Sequence, residues 1–247
     1  MKCPDIHGMR GKPSNDSLIN TDAELMEKGV SDNVLRGLLP NEENIELKEP
    51  VVAGGVVYRA IKRTVDVLGS VAALVVLAVP MVYVAIRIKL ESPGPVFYSQ
   101  VRVGWKEKNF KIYKFRSMYV DAEADGPQWA AKNDDRVTPF GRKLRDCRFD
   151  EVPQFWNVIK GDMSLVGPRP ERPVFCKAFE KRISGWHYRT LVKPGISGLA
   201  QVIGGYEMLP SEKVALDLEY IEERSVRMDV WILAQTLPIV AKKQSAR

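Results

Sequence analysis

Three cysteines and two histidines are all that 247 residues offer of thiol and imidazole ligands. Cys3, Cys147 and Cys176 are odd in number and show no paired spacing, and only His7 and His187 stand beside them. A disulfide scaffold and a structural zinc site are thereby excluded, and the thiols suit a reducing compartment. No Walker A loop, GxGxxG or HExxH is present, so the common nucleotide-binding and zinc-protease signatures are absent too. The chain shows no internal repeat, no low-complexity tract and no basic-then-apolar opening of a secretory signal. A mean hydropathy of −0.19 argues against a polytopic membrane protein but leaves room for one buried membrane segment. With 45% hydrophobic and 28% charged residues the chain can bury a sizeable core, which rules out wholesale disorder.

Charge is unevenly placed. Residues 1–50 hold 10 acids against 6 Lys/Arg, so the net +6 conceals a body of +10 over residues 51–247. Such a body attracts anionic lipid, phosphorylated substrates or nucleic acid, and composition does not choose among them. The first fifty residues read as a polar extension outside the main core, with one short helix expected over residues 22–39.

The strongest physical signal is residues 67–86, VLGSVAALVVLAVPMVYVAI, 20 residues without a charge. As a helix they would reach roughly 30 Å, the thickness of a bilayer core. A buried core helix is the competing reading, but the run has no polar face. Basic residues flank it almost evenly: Lys48, Arg59, Lys62 and Arg63 before, Arg87, Lys89 and Arg102 after. A straight span would favour an asymmetry of such charges. Pro80 removes one backbone hydrogen bond inside the run, and the segment before it would be only about 20 Å long. A helix that enters one leaflet, breaks at Pro80 and returns to the same face fits both facts. Asp66 reads as an acid at the helix start.

After the turn Ser92-Pro93-Gly94-Pro95, alternating residues from Val96 to Val103 and from Phe110 to Phe115 predict a hairpin or small sheet. Helical signals follow. Asp150 is expected to cap a helix with Pro153 in its first turn and Gly161 at its end. Residues 212–226 and 229–240 are amphipathic. The second carries Trp231, which suits either the head-group region or a core.

Chemistry concentrates around Asp150 and Glu151. Arg142, Lys143, Arg145 and Arg148 precede this acid pair, and Lys160 and Arg169 follow it. Cations at this density bind phosphate. A carboxylate among them repels that guest unless a divalent metal bridges the two or the carboxylate itself attacks phosphorus. Gly167-Pro168-Arg169-Pro170 places one arginine between two prolines, where it has less entropy to lose on binding. Lys114 and Arg116 lie near a strand end, and Lys193-Pro194-Gly195-Ile196-Ser197-Gly198 forms a glycine-bearing turn.

The order KFRSM, RFDEVPQFWNVIKGDMSLVGPRP, KPGISGLAQ and LDLEYIEERS resembles the bacterial sugar transferase family, the monotopic phosphoglycosyl transferases, over about residues 58–240. The resemblance implies transfer of a sugar-1-phosphate from a UDP-sugar to a polyprenyl phosphate such as undecaprenyl phosphate, with release of UMP, at the cytosolic face of the bacterial inner membrane. It implies Asp150 as nucleophile and Mg²⁺ ligand, and Glu151 as its partner. Arg145, Arg169, Lys114 and Arg116 would hold phosphate, and Asp217 and Tyr220, a further acidic and aromatic pair, would also belong to the substrate-binding set. Where the family has Ser-Pro at its helix break, this chain has Val79-Pro80.

The expected architecture is α+β. A mainly helical cytosolic domain over residues 51–247 carries a small β-hairpin or sheet, a re-entrant membrane helix at about residues 64–90 and interfacial amphipathic helices. The partners expected are the UDP-sugar, the polyprenyl phosphate and membrane lipid, and not nucleic acid, which would leave the paired carboxylates unexplained. A metal-dependent phosphohydrolase using Asp150 and Glu151 is the chemically closest competitor.

Overall fold

The computed structural model describes residues 45–122, 134–204 and 208–241. The helix expected over residues 22–39 lies outside them. A short strand, β1 (Ile45–Glu46), runs parallel to Ile183–Ser184, and Leu47 packs against the main core. The chain is thus tied down before residue 50.

The apolar run folds as two helices. α1 (Val56–Val76) ends at Leu77, and α2 (Ala78–Glu91) sets off at 61° to it. Pro80 is therefore not the break itself but the third residue of α2. Proline is tolerated in a first turn, and its missing N–H falls on the carbonyl four residues back, Val76, where α1 stops. No single helix among the described residues is long and apolar enough to cross a membrane, whereas this bent pair passes that test together.

Asp66 is not at a helix start. It sits deep inside α1, almost fully buried, and its Oδ1 accepts from Ser164 Oγ (3.1 Å) and Leu165 N (3.0 Å). Arg63 donates to the carbonyls of Val158 and Ile159 at 2.7 and 2.8 Å, occupying acceptors that a helix end leaves unpaired. One face of α1 is thereby docked. The other leaves Val65, Leu68, Val75 and Val76 exposed, and α2 continues the exposed surface with Val79, Val82, Ile86 and Leu90.

β2 (Phe97–Val103) and β3 (Asn109–Phe115) form an antiparallel hairpin, in register from Phe97 opposite Phe115 to Val103 opposite Asn109. In α3 (Pro139–Asp146), Thr138 accepts from Gly141 N at 2.9 Å and proline fills the first position, a strong start signal. α4 (Gln154–Lys160) closes on Gly161 at φ 92°, the left-handed stop expected there. Next come β4 (Ser164–Val166), α5 (Pro173–Glu180), β5 (Ile183–Ser184) and β6 (Gly195–Ser197), the last parallel to β4. α6 (Leu199–Ile203), α7 (Pro210–Glu223) and α8 (Val226–Ala241) complete the order.

The architecture is α+β, mostly helical with small two-stranded sheets. The largest core gathers Val166, Phe179, Trp186, Val214, Tyr220 and Ile232. A second cluster packs Val84 and Ile88 of α2 against Phe115, Leu144 and Val152, so the bent pair and the segment around Asp150 share one core. Asp229 of α8 accepts from Tyr58 and Lys62 of α1 at 2.9 Å each and from Tyr220 of α7 at 2.8 Å, which joins three helices at one carboxylate.

Candidate active site

The acid pair sits on a 3-10 turn, Phe149–Glu151, ahead of α4. Asp150 therefore does not cap α4; Pro153 occupies that position. Arg148 turns the chain from α3 into this segment with φ 54°, a left-handed conformation uncommon for a side chain larger than glycine. Phe149 stacks on Phe115 (centroids 6.2 Å apart) and Phe115 on Phe97 (5.3 Å), so an aromatic column supports the turn from below.

Asp150 and Glu151 are both buried, 6% and 8% exposed, yet their surroundings differ. Glu151 Oε1 accepts from Lys114 Nζ at 2.7 Å and from Arg169 Nη2 at 2.5 Å. Asp150 Oδ2 is 3.9 Å from Lys114 Nζ, outside hydrogen-bond range. The titration of the pair splits accordingly. Burial, together with the neighbouring Glu151 charge, pushes the Asp150 carboxyl up to about 6 against the pull of Lys114, Arg145 and Arg169. Burial acts on Glu151 as well, but Arg169 and Lys114 outweigh it and hold that carboxylate well below its usual range. Two adjacent acids pushed apart in this way are suited to different roles.

Lys114 reaches the acids because β3 is pinned to α4. Asn157, fully buried, accepts from Tyr113 N at 3.1 Å and donates to Lys111 O at 2.7 Å. Nothing in the sequence reading singled out Asn157. Arg169 is delivered by β4, whose partner β6 belongs to the glycine-bearing turn. Gly167 N donates to Ser197 O (2.9 Å) and Gly195 N to Pro168 O (3.0 Å). A Cβ on Gly167 would come within 2.4 Å of Lys193 O, so the two motifs interlock at a contact only glycine permits.

Of the remaining expected site residues, Arg145 stays near the acid pair and the others take other places. Arg145 acts on Asp150 electrostatically. Arg116, only 6% exposed, spends its guanidinium on Ser92 O (2.8 Å) and Pro93 O (2.5 Å), holding the turn after α2. Asp217 pairs with Arg189, and the Tyr220 hydroxyl lies against Asp229 and Val166 O. Their contacts are with these groups rather than with the acid pair. Among the described residues no three His, Cys, Asp or Glu converge as a metal site. A small hard cation at Asp150 would take most of its remaining ligands from phosphate and water, which is how Mg²⁺ is usually held.

Residues 57–243 match the family described as bacterial sugar transferase. The chain belongs to that family. It is 45% identical over 194 residues to a UDP-N-acetylgalactosamine–undecaprenyl-phosphate N-acetylgalactosaminephosphotransferase of Aeromonas hydrophila, covering 77% of this chain and 46% of that protein. A putative undecaprenyl-phosphate N-acetylgalactosaminyl 1-phosphate transferase of Bacillus subtilis is 52% identical over 133 residues, 53% of this chain and 74% of the relative. The UDP-glucose:undecaprenyl-phosphate glucose-1-phosphate transferase of Escherichia coli K12 is 39% identical over 186 residues, 73% of this chain and 40% of its own length. The chain thus spans under half the length of two of these three relatives. Residues 57–243 contain both acids, Lys114, Arg169 and all but the first residue of the bent helix pair.

Proposed function

We propose that this sugar transferase family member moves a sugar-1-phosphate from a UDP-sugar to undecaprenyl phosphate, in two steps, through an aspartyl phosphosugar formed on Asp150. The observation that carries this reading is the divided acid pair. Glu151 is held by Lys114 and Arg169, while Asp150 is buried beside it with its carboxyl near 6, ionised at neutral pH but not committed to a close ion pair with Lys114. Such a carboxylate is positioned and nucleophilic.

In the first step an Asp150 oxygen attacks the phosphorus that bears the sugar. The new bond is Asp150 O–P, the bond broken joins that phosphorus to the bridging oxygen of UMP, and UMP leaves with the electron pair. In the second step an oxygen of the lipid phosphate attacks the same phosphorus and Asp150 departs as carboxylate. The anomeric C–O bond is untouched in both steps, so the sugar keeps its configuration. Arg169 and Lys114 offset the charge on the equatorial phosphate oxygens, and Glu151 holds both cations in place. Mg²⁺ bound at Asp150 would neutralise the diphosphate and stabilise departing UMP.

A polyprenyl acceptor would bring the site to a membrane. The exposed apolar surface of α1 and α2, bent by 61°, would lie in the cytosolic leaflet of the inner membrane and return to the same side. α8, with Val230, Trp231 and Leu237 exposed, would rest at the head-group level.

The test is product analysis in detergent or vesicles, with Mg²⁺ and a panel of UDP-sugars. The transferase makes a lipid-linked sugar and UMP only when polyprenyl phosphate is supplied for turnover. Free sugar phosphate accumulating at the same rate without the lipid would identify a phosphohydrolase instead.

A further inference from the structure

Arg169 stands between two prolines, and that creates a mechanical problem. Pro168 and Pro170 have no N–H, so the segment leaving β4 cannot continue a hydrogen-bonded ladder through its own amides. It is held by its carbonyls instead. Pro168 O accepts from Gly195 N (3.0 Å), Arg169 O from Arg189 Nη2 (2.9 Å), Pro170 O from Arg102 Nη1 (3.2 Å) and Glu171 O from Val103 N (2.9 Å). The carbonyl of Arg169 itself is thus gripped by a side chain from elsewhere in the chain.

Arg189 is fixed on three sides. It is 5% exposed, its guanidinium lies 4.5 Å from the Trp186 ring, and Asp217 Oδ2 accepts from both its Nε (3.0 Å) and its Nη2 (2.5 Å). Asp217 is 1% exposed. Burying such a pair contributes little net stability compared with packed apolar side chains, so stability alone is a poor reason for it. Its geometry has one evident consequence, which is the placement of the Arg169 backbone.

We propose that Asp217 and Arg189 are positioning residues for Arg169, setting where its guanidinium meets Glu151 and the substrate phosphate without touching either. This reassigns Asp217 from substrate binding to support, and it rests on the reading of Arg169 as a phosphate-site residue. A lysine at 189 would keep the charge but could not hold Asp217 and Arg169 O in one planar fork.

The test is a double-mutant cycle read on single-turnover UMP release from a UDP-sugar with Mg²⁺, with long incubations so that slow variants still give a rate. Arg189→Lys should lower the rate by about 10- to 100-fold, the effect of misplacing a reacting group by about an ångström. In an Arg169→Lys background the same exchange should cost less than about 3-fold, because the group being aimed is already gone. Melting temperatures control for folding. Equal losses in both backgrounds, or an unimpaired Arg189→Lys, would overturn the proposal. If Arg189→Lys does not fold, the near-isosteric Asp217→Asn goes through the same cycle with the same expectation. Failure of both to fold overturns the proposal, since the pair would then serve the fold as a whole. No UMP release from the unaltered protein would instead overturn the proposed function.

Discussion

Replacing Gly195 by alanine tests whether the glycine turn and the arginine segment act as one unit. Gly195 faces the neighbouring segment so closely that an added Cβ would lie 2.1 Å from Gly167 N and 2.6 Å from Gly167 O, and it would also come within 2.3 Å of Ser197 O on its own strand. All three are backbone atoms, so no side chain can swing aside. Ordinary contact begins near 3.4 Å, and the two segments must therefore part by about 1.3 Å. That displacement breaks the bond from Gly195 N to Pro168 O and moves Arg169 with it. Overpacking of this kind typically costs about 1–3 kcal/mol of stability. A shift of about an ångström at a reacting group costs on the order of 100-fold in rate, or about 2.7 kcal/mol on the barrier. The assay pairs UMP release with thermal melting. Gly55→Ala is the control, since a Cβ there meets nothing within 4 Å, and it should match the unaltered protein. Wild-type turnover and melting in Gly195→Ala would refute the reasoning.

Glu171→Gln probes the charges behind Arg169. Burial would push the Glu171 carboxyl up, but Lys213, Arg189 and Arg102 hold it at about 2. A depressed carboxyl stabilises the fold above its unfolded value near 4.3, here by about 3 kcal/mol, and that stability is lost as pH falls toward 2. The melting-temperature gap between the two proteins should thus be widest at pH 5 and above and close by pH 2; a constant gap would contradict it. Pro80→Leu restores the missing N–H and should straighten the bend between α1 and α2. Cysteine labelling near Ser92 in intact cells should change from protected in the unaltered protein to periplasmically reactive in the variant, and periplasmic reactivity in both would sink the re-entrant arrangement.

Legibility in the sequence followed the range of the forces involved. The β2–β3 hairpin was readable because alternation is a local property: along the start of β3, exposed Asn109 and Lys111 take turns with half-buried Phe110 and buried Ile112. The bend was readable from Pro80, although the break falls at Leu77, because a proline's clash acts on the turn before it. Asp66 was misread because its partners, Ser164 and Leu165, stand 98 and 99 residues away. Asp150 was misread as a cap because a 3-10 turn inserts before α4, and nothing local distinguishes the two. The acids, Lys114 and Arg169 stood out by charge density and by prolines. Arg189 and Asn157 carried no such signal, since their roles come from contacts 20 and 28 residues away for the one, 44 and 46 for the other.

Mass spectrometry of the protein incubated with UDP-sugar and Mg²⁺, without lipid acceptor, tests the central claim most directly. The account predicts one UMP released per active site and a mass increase of one sugar phosphate on the peptide containing Asp150. Both should be absent in Asp150→Asn. Asp150 peptide that stays unlabelled under trapping conditions, together with a sequential kinetic pattern, would contradict the account and leave Asp150 as a metal ligand in a single displacement.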